Sequence, residues 1–273
     1  MALLLPVAGV RRECSIARMC FDLDSRPPIP PIAGAAVDGI RITLRSADGT
    51  DFAAFVAHPQ APSGAAMLIL PDVRGLYTFY EELALRFAEA GVAALAIDYF
   101  GRTAGVGPRQ GDFDHSAHID RVRYETLLHD ISAARHELGS WPGVRALFSV
   151  GFCFGGRLSL LLASSDLDMA GVVGFYGWPV GTSRGGVPAP IDEATKVNAP
   201  ILALFGGADQ GIPAEAVETY RSALERGAAD HEVVVYPAAP HSFFDRKASD
   251  FGGASNDAWQ RVLEFVGRLT PPA

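Results

Sequence analysis

Ala66 to Leu70 and Val92 to Ile97 are short apolar runs, Leu147 to Val150 and Ile201 to Phe205 read as strands, and between these segments apolar residues recur at helical spacing. A parallel strand covered on both faces reads as such a run, because neither face meets water. Tyr80, Leu83, Phe87 and Ala90 mark the first helical stretch. Ile119, Val122, Leu127, Leu128, Ile131, Ala134 and Leu138 predict a long amphipathic helix, stopped by Trp141-Pro142-Gly143. Ala170 to Tyr176 and Val233 to Tyr236 read as further strands, and Arg157 to Ala163, Val217 to Leu224 and Trp259 to Val266 as helices. Upstream, Ile40 to Leu44 alternates with period 2, and Phe52 to Ala57 follows an Asp48-Gly49 turn signal, so the pair predicts a hairpin. Repeated strand–helix alternation after a hairpin predicts an α/β fold: a mostly parallel sheet with helices on both faces, in one domain over 37–273. The Gly-rich polar segment 101–118 and the segment 177–199 are expected to be functional loops.

Residues 1–36 read as an extended, Pro-rich N-terminal tail, since Pro27-Pro28 and Pro30-Pro31 disfavour both helix and central strand. Met19 is a candidate alternative start, with 1–18 an extension. Lys plus Arg is 23 against 31 Asp plus Glu, a formal charge of -8 without a basic stripe. Nucleic acid and anionic membrane are not expected as partners. The apolar opening is too short to span a bilayer, and its Arg11 and Arg12 follow the apolar run, unlike a signal peptide. Cys14, Cys20 and Cys153 make neither a disulfide framework nor a zinc pattern. A cytoplasmic location is expected, and the oligomeric state stays open.

Gly151-Phe152-Cys153-Phe154-Gly155-Gly156 follows a predicted strand and opens a predicted helix. It fits the nucleophile elbow, Gly-x-nucleophile-x-Gly, with cysteine as nucleophile. The turn strains the nucleophile's backbone and crowds its neighbours, hence the glycines. It would place the Cys153 sulfur by a helix N-terminus, where the dipole favours a thiolate. A small inert buried cysteine is the plainer alternative. An elbow enzyme also needs an acid and then a histidine downstream. Asp209 ends Phe205-Gly206-Gly207-Ala208-Asp209 at a strand tip, and His241 lies in the loop after the last strand. Taken singly, these could be a turn residue and a surface histidine; their order makes the triad.

Over roughly residues 40–270 the chain resembles the dienelactone hydrolases (carboxymethylenebutenolidases), a cysteine branch of the α/β-hydrolase fold. The motifs that carry this are Gly-Phe-Cys-Phe-Gly-Gly at 151–156, Gly-Gly-Ala-Asp at 206–209 and His-Ser-Phe at 241–243. The resemblance implies a sheet of about eight strands, with Cys153 as nucleophile, His241 as base and Asp209 as its orienting acid. It implies a thiol-activating acid at Asp72, where the family has glutamate, and a substrate-carboxylate ligand at Arg102. The family's second arginine falls on Asp245 here, which leaves Arg246 and Arg74 as candidate cations. The elbow chemistry puts the oxyanion on the N–H groups of Phe154 and Val73.

The expected activity is hydrolysis of a small ester or lactone through a thiolester. A carboxylesterase acting on unrelated small esters is the alternative, and a redox-sensing thiol protein the next. No cofactor or metal is expected. His115 and His118 have H-x-x-H spacing but no evident third ligand, and no nucleotide-binding motif is present.

Overall fold

The computed structural model describes residues 24–32, 37–109, 111, 113–227, 229–244 and 248–273. Cys14, Met19, Cys20, Asp245 and Arg246 lie outside the described residues, as does most of the expected tail.

Eight strands form one sheet: β1 (Val37–Arg45), β2 (Asp51–Pro59), β3 (Ala65–Leu70), β4 (Ala93–Ile97), β5 (Ala146–Phe152), β6 (Gly171–Phe175), β7 (Ile201–Gly206) and β8 (His231–Tyr236). Their spatial order is β1-β2-β4-β3-β5-β6-β7-β8. The hairpin β1–β2 and the pair β2–β4 are antiparallel; every pair from β4 to β8 is parallel. The apolar runs explain this arrangement. Strands β3 to β7 are buried along their whole length, as their composition requires. β1 is an edge strand: Ile42 and Leu44 are half-buried, whereas Ile40 is 61% exposed despite its place in the alternating pattern.

Helices cover both faces: α1 (Thr78–Glu89), α2 (Gly101–Ala104), α3 (Ser116–Ile119), α4 (Tyr124–Ser140), α5 (Phe154–Leu162), α6 (Ala214–Arg226) and α7 (Ala248–Leu269). α1 and α7 meet through Phe87 and Trp259, ring centroids 4.8 Å apart. The described part of the tail lies along α1, where Arg26 pairs with Glu82 at 2.9 Å and the Ile32 N–H donates to Glu89 at 3.0 Å. No described helix is long and apolar enough to cross a membrane.

The long helix expected from Ile119 is instead two helices. The chain breaks at 120–123, with Arg123 extended (φ -130°, ψ 137°) before α4. A tertiary contact accounts for the break. The carbonyl of Val122 lies against Gly185 so closely that a Cβ there would sit 2.6 Å from it, and Arg184 pairs with Asp120. The loop after β6 thus rests on the α3–α4 turn.

Candidate active site

The strand order reverses at β3, whose chain continues to β4 on one side while β5 lies on the other. In open α/β sheets, the carboxyl ends beside such a reversal form the binding crevice. Asp72 and Val73 follow β3 there, and Cys153 follows β5.

Cys153 is half-buried at φ 54°, ψ -111°, immediately before α5. That backbone conformation is strained for a residue with a side chain. Gly151 and Gly155 make it sterically feasible: a Cβ on Gly151 would lie 1.9 Å from the Gly155 carbonyl oxygen, and one on Gly155 2.0 Å from that of Leu70. Among the described residues, the non-glycine positive-φ positions are Cys153, Asp168, Tyr176 and Ser242. Three of these four border one site: Tyr176 follows β6, and Ser242 follows His241. Beneath it lies an aromatic floor, with Phe152 stacked on Phe175 at 4.7 Å and Phe244 4.9 Å from Phe175.

His241 Nδ1 and Asp209 Oδ2 are 2.6 Å apart, with side chains 7% and 0% exposed. The other Asp209 oxygen accepts the N–H groups of Gly211 at 2.8 Å and Ile212 at 3.2 Å, which fixes the carboxylate's orientation. Burial works against a charge on His241. The charge of Cys153 and the imidazole's hydrogen bonds to Asp209 and Cys153 outweigh it and raise the imidazole from 6.5 to about 10. Tyr176 backs the imidazole, ring centroids 4.8 Å apart.

These side chains open on a cavity of about 470 Å³, lined by Val73, Cys153, Phe154, Tyr176, Trp178 and His241 among others. Phe154 is the first residue of α5, so its N–H has no partner within the helix. Around Val73 the turn is densely bonded. The Asp72 N–H donates to Tyr80 Oη at 2.9 Å, the Arg74 N–H to the Asp72 carboxylate at 2.9 Å, and the Gly75 N–H to the Asp72 carbonyl at 3.2 Å.

Two of the cations named from the sequence, Arg102 and Arg74, are engaged elsewhere. Arg102, expected to hold a substrate carboxylate, is absent from this cavity's lining and instead pairs with Asp130 at 2.5 Å, Asp48 at 2.8 Å and Ser46 at 3.0 Å. Arg74 forms a buried pair with Asp72 at 2.7 Å and also donates to Tyr77 Oη. Burial opposes its charge, but Asp72 overrides this and raises its pKa. The Asp72 carboxylate, expected beside the thiol, is thus engaged by Arg74. The cavity's own arginines are Arg157 and Arg184, neither of which the sequence reading placed in the site. Arg184 lay within a loop already marked as functional. Arg157 could have been noticed as a lone charge in an otherwise apolar helix.

Comparison with known proteins agrees with this architecture. The profile of the dienelactone hydrolase family matches residues 52–270. A Salmonella typhimurium protein provisionally named carboxymethylenebutenolidase is 34% identical over 245 residues, covering 83% of this chain and 86% of its own. A similarly named Escherichia coli K12 protein is 32% identical over 80% of this chain and 82% of its own. The crystal structure of a provisionally named dienelactone hydrolase from Klebsiella pneumoniae superposes with a TM-score of 0.74 at 28% identity, covering 85% of this chain and 98% of that one. The chain belongs to the dienelactone hydrolase family and is a hydrolase of the α/β-hydrolase fold.

Proposed function

We propose that this hydrolase cleaves a small ester or lactone through a Cys153–His241–Asp209 triad and a thiolester acyl-enzyme. The observation that carries the reading is the 2.6 Å bond from His241 Nδ1 to the Asp209 carboxylate, with the imidazole next to a cysteine on a strained elbow. His241 Nε2 takes the Cys153 proton, and Asp209 holds the tautomer that makes this nitrogen the acceptor. The thiolate attacks the carbonyl carbon, and the C=O electrons move onto oxygen. That oxyanion sits on the N–H groups of Phe154 and Val73, each worth about 3 kcal/mol in the barrier. Collapse breaks the C–O bond, and the leaving oxygen takes the proton back from His241. Water, deprotonated by His241, then attacks the thiolester and regenerates the thiolate and the free acid.

The Val73 N–H is the amide of its turn that the neighbouring bonds leave for substrate, and the Asp72–Arg74 pair holds that turn. Asp72 therefore acts in this reading by fixing the oxyanion loop. A cavity of about 470 Å³ suits a small acyl or lactone ring. Arg184, 38% exposed and paired with Asp120, is the cation placed to meet an anionic substrate group.

A second reading, hydrolysis of neutral esters, is favoured by the engagement of Arg102 with two carboxylates. Hydrolysis of a carboxylated dienelactone beside a neutral aryl acetate separates the two. Turnover of the first, lost in Cys153→Ala, supports the lactonase reading; turnover of the second alone moves the enzyme to neutral esters.

A further inference from the structure

Arg157 is 1% exposed, lies within the apolar helix α5, and makes hydrogen bonds with backbone carbonyls. Its Nε donates to Pro188 at 2.8 Å, Nη1 to Trp178 at 3.1 Å and Val180 at 3.2 Å, and Nη2 to Gly181 at 2.7 Å and Val187 at 3.0 Å. A guanidinium has five N–H donors in a rigid fork, so every one is matched. All five acceptors belong to the loop after β6. That loop supplies Trp178, Thr182, Ser183 and Arg184 to the wall of the Cys153 cavity.

The same residue is tied to the nucleophile. The Arg157 N–H donates to the Cys153 carbonyl at 3.1 Å, within the first turn of α5. One step earlier in the chain, Gly156 and Gly177 bring helix and loop backbones together: a Cβ on Gly177 would lie 2.5 Å from the Arg157 nitrogen. Burial pushes the guanidinium down to about 10, opposed by Asp192. A cation held in this way needs an energetic return, and ordering a loop of unpaired carbonyls supplies one.

We propose that Arg157 is a positioning residue that sets acyl selectivity: it clamps the loop 178–188 to the helix that Cys153 caps and so fixes the width of the cavity. Its effect on ester preference rests on the hydrolase reading above; its effect on access to the thiol does not. Lysine, with three donors on a point charge, keeps the charge and loses the fork.

The test compares Arg157→Lys with wild type in two ways. Cys153 is alkylated with a small maleimide and with a bulky fluorescent one, and both are followed on the Cys153 peptide by mass spectrometry. The bulky-to-small rate ratio is expected to rise about fivefold or more, because a wall displaced by about 1 Å changes fit strongly. Hydrolysis of aryl esters from acetyl to octanoyl is expected to lose its chain-length preference mainly through KM, while the pH profile of alkylation by iodoacetamide keeps its midpoint. An unchanged ratio and ester profile with a lowered Tm would make Arg157 a mere brace and overturn the proposal. A displaced alkylation pH profile would overturn it too, by assigning the effect to charge. If Arg157→Lys fails to fold, Trp178→Ala removes part of the clamped wall instead, and an unchanged ratio there contradicts the proposal. Absence of ester turnover by wild type contradicts the hydrolase reading alone, and the alkylation ratio then decides the clamp.

Discussion

The Asp209 carboxylate divides its two oxygens between two tasks. One accepts from His241 at 2.6 Å, and the other from the backbone N–H groups of Gly211 and Ile212. The second task aims the first. In Asp209→Asn, the amide can still cap the turn through its oxygen but presents an N–H to the imidazole. That substitution is expected to leave the circular dichroism unchanged and to lower kcat by about 10²–10⁴-fold, as loss of an orienting acid does. Steady-state kinetics on an aryl ester would check it; kcat within twofold of wild type would contradict the role.

The raised pKa of His241 gives a pH dependence with a definite sign. The folded value, about 10, exceeds the ordinary 6.5. The group's stabilising contribution is therefore fully present below about 6.5 and is lost as pH rises through about 10. Because the Cys153 charge is a principal raising influence, Cys153→Ala is expected to move the imidazole titration back toward 6.5. Nitrogen-15 NMR of the histidine side chains in both proteins measures this directly.

The elbow stores backbone strain at φ 54°. Glycine adopts that conformation without a side-chain penalty, and alanine does not. Cys153→Gly is therefore expected to be about 1–2 kcal/mol more stable than Cys153→Ala, both inactive, in denaturant unfolding. Equal stabilities would mean that the turn is relaxed.

Arg184 and Asp120 join the cavity wall to the α3–α4 turn at an exposed position. Exposed pairs add little to stability, so Asp120→Asn is expected to change it by less than about 1 kcal/mol. Arg184→Ala is expected to raise KM for carboxylated esters about fivefold, the equivalent of about 1 kcal/mol, and to leave neutral esters unaffected. An equal rise for both classes would remove Arg184 from substrate recognition.

How much of this was legible in the sequence depended on whether the signal was local. Burial on both faces makes β3 to β7 almost wholly apolar, with Ser149 of β5 the polar residue among them, so the parallel sheet was readable from consecutive residues. The elbow glycines, Asp209 and His241 were readable because each motif sits at a strand end. The arginines were not. Arg102 meets Asp48 and Asp130, and Arg157 meets carbonyls 21 to 31 residues downstream, partners that only the folded chain brings near. The break at 120–123 was hidden for the same reason, since periodicity continued through Val122 while Gly185 packed against its carbonyl.

The central claim is that Cys153 carries the acyl group. Acid quenching during turnover of an activated aryl ester, followed by peptide mass spectrometry, tests it most directly. The account predicts an acyl adduct on the Cys153 peptide that disappears as substrate is exhausted, with turnover in Cys153→Ala reduced at least about 10³-fold. Undiminished turnover in Cys153→Ala, or an adduct on another residue that decays at the rate of turnover, would contradict it.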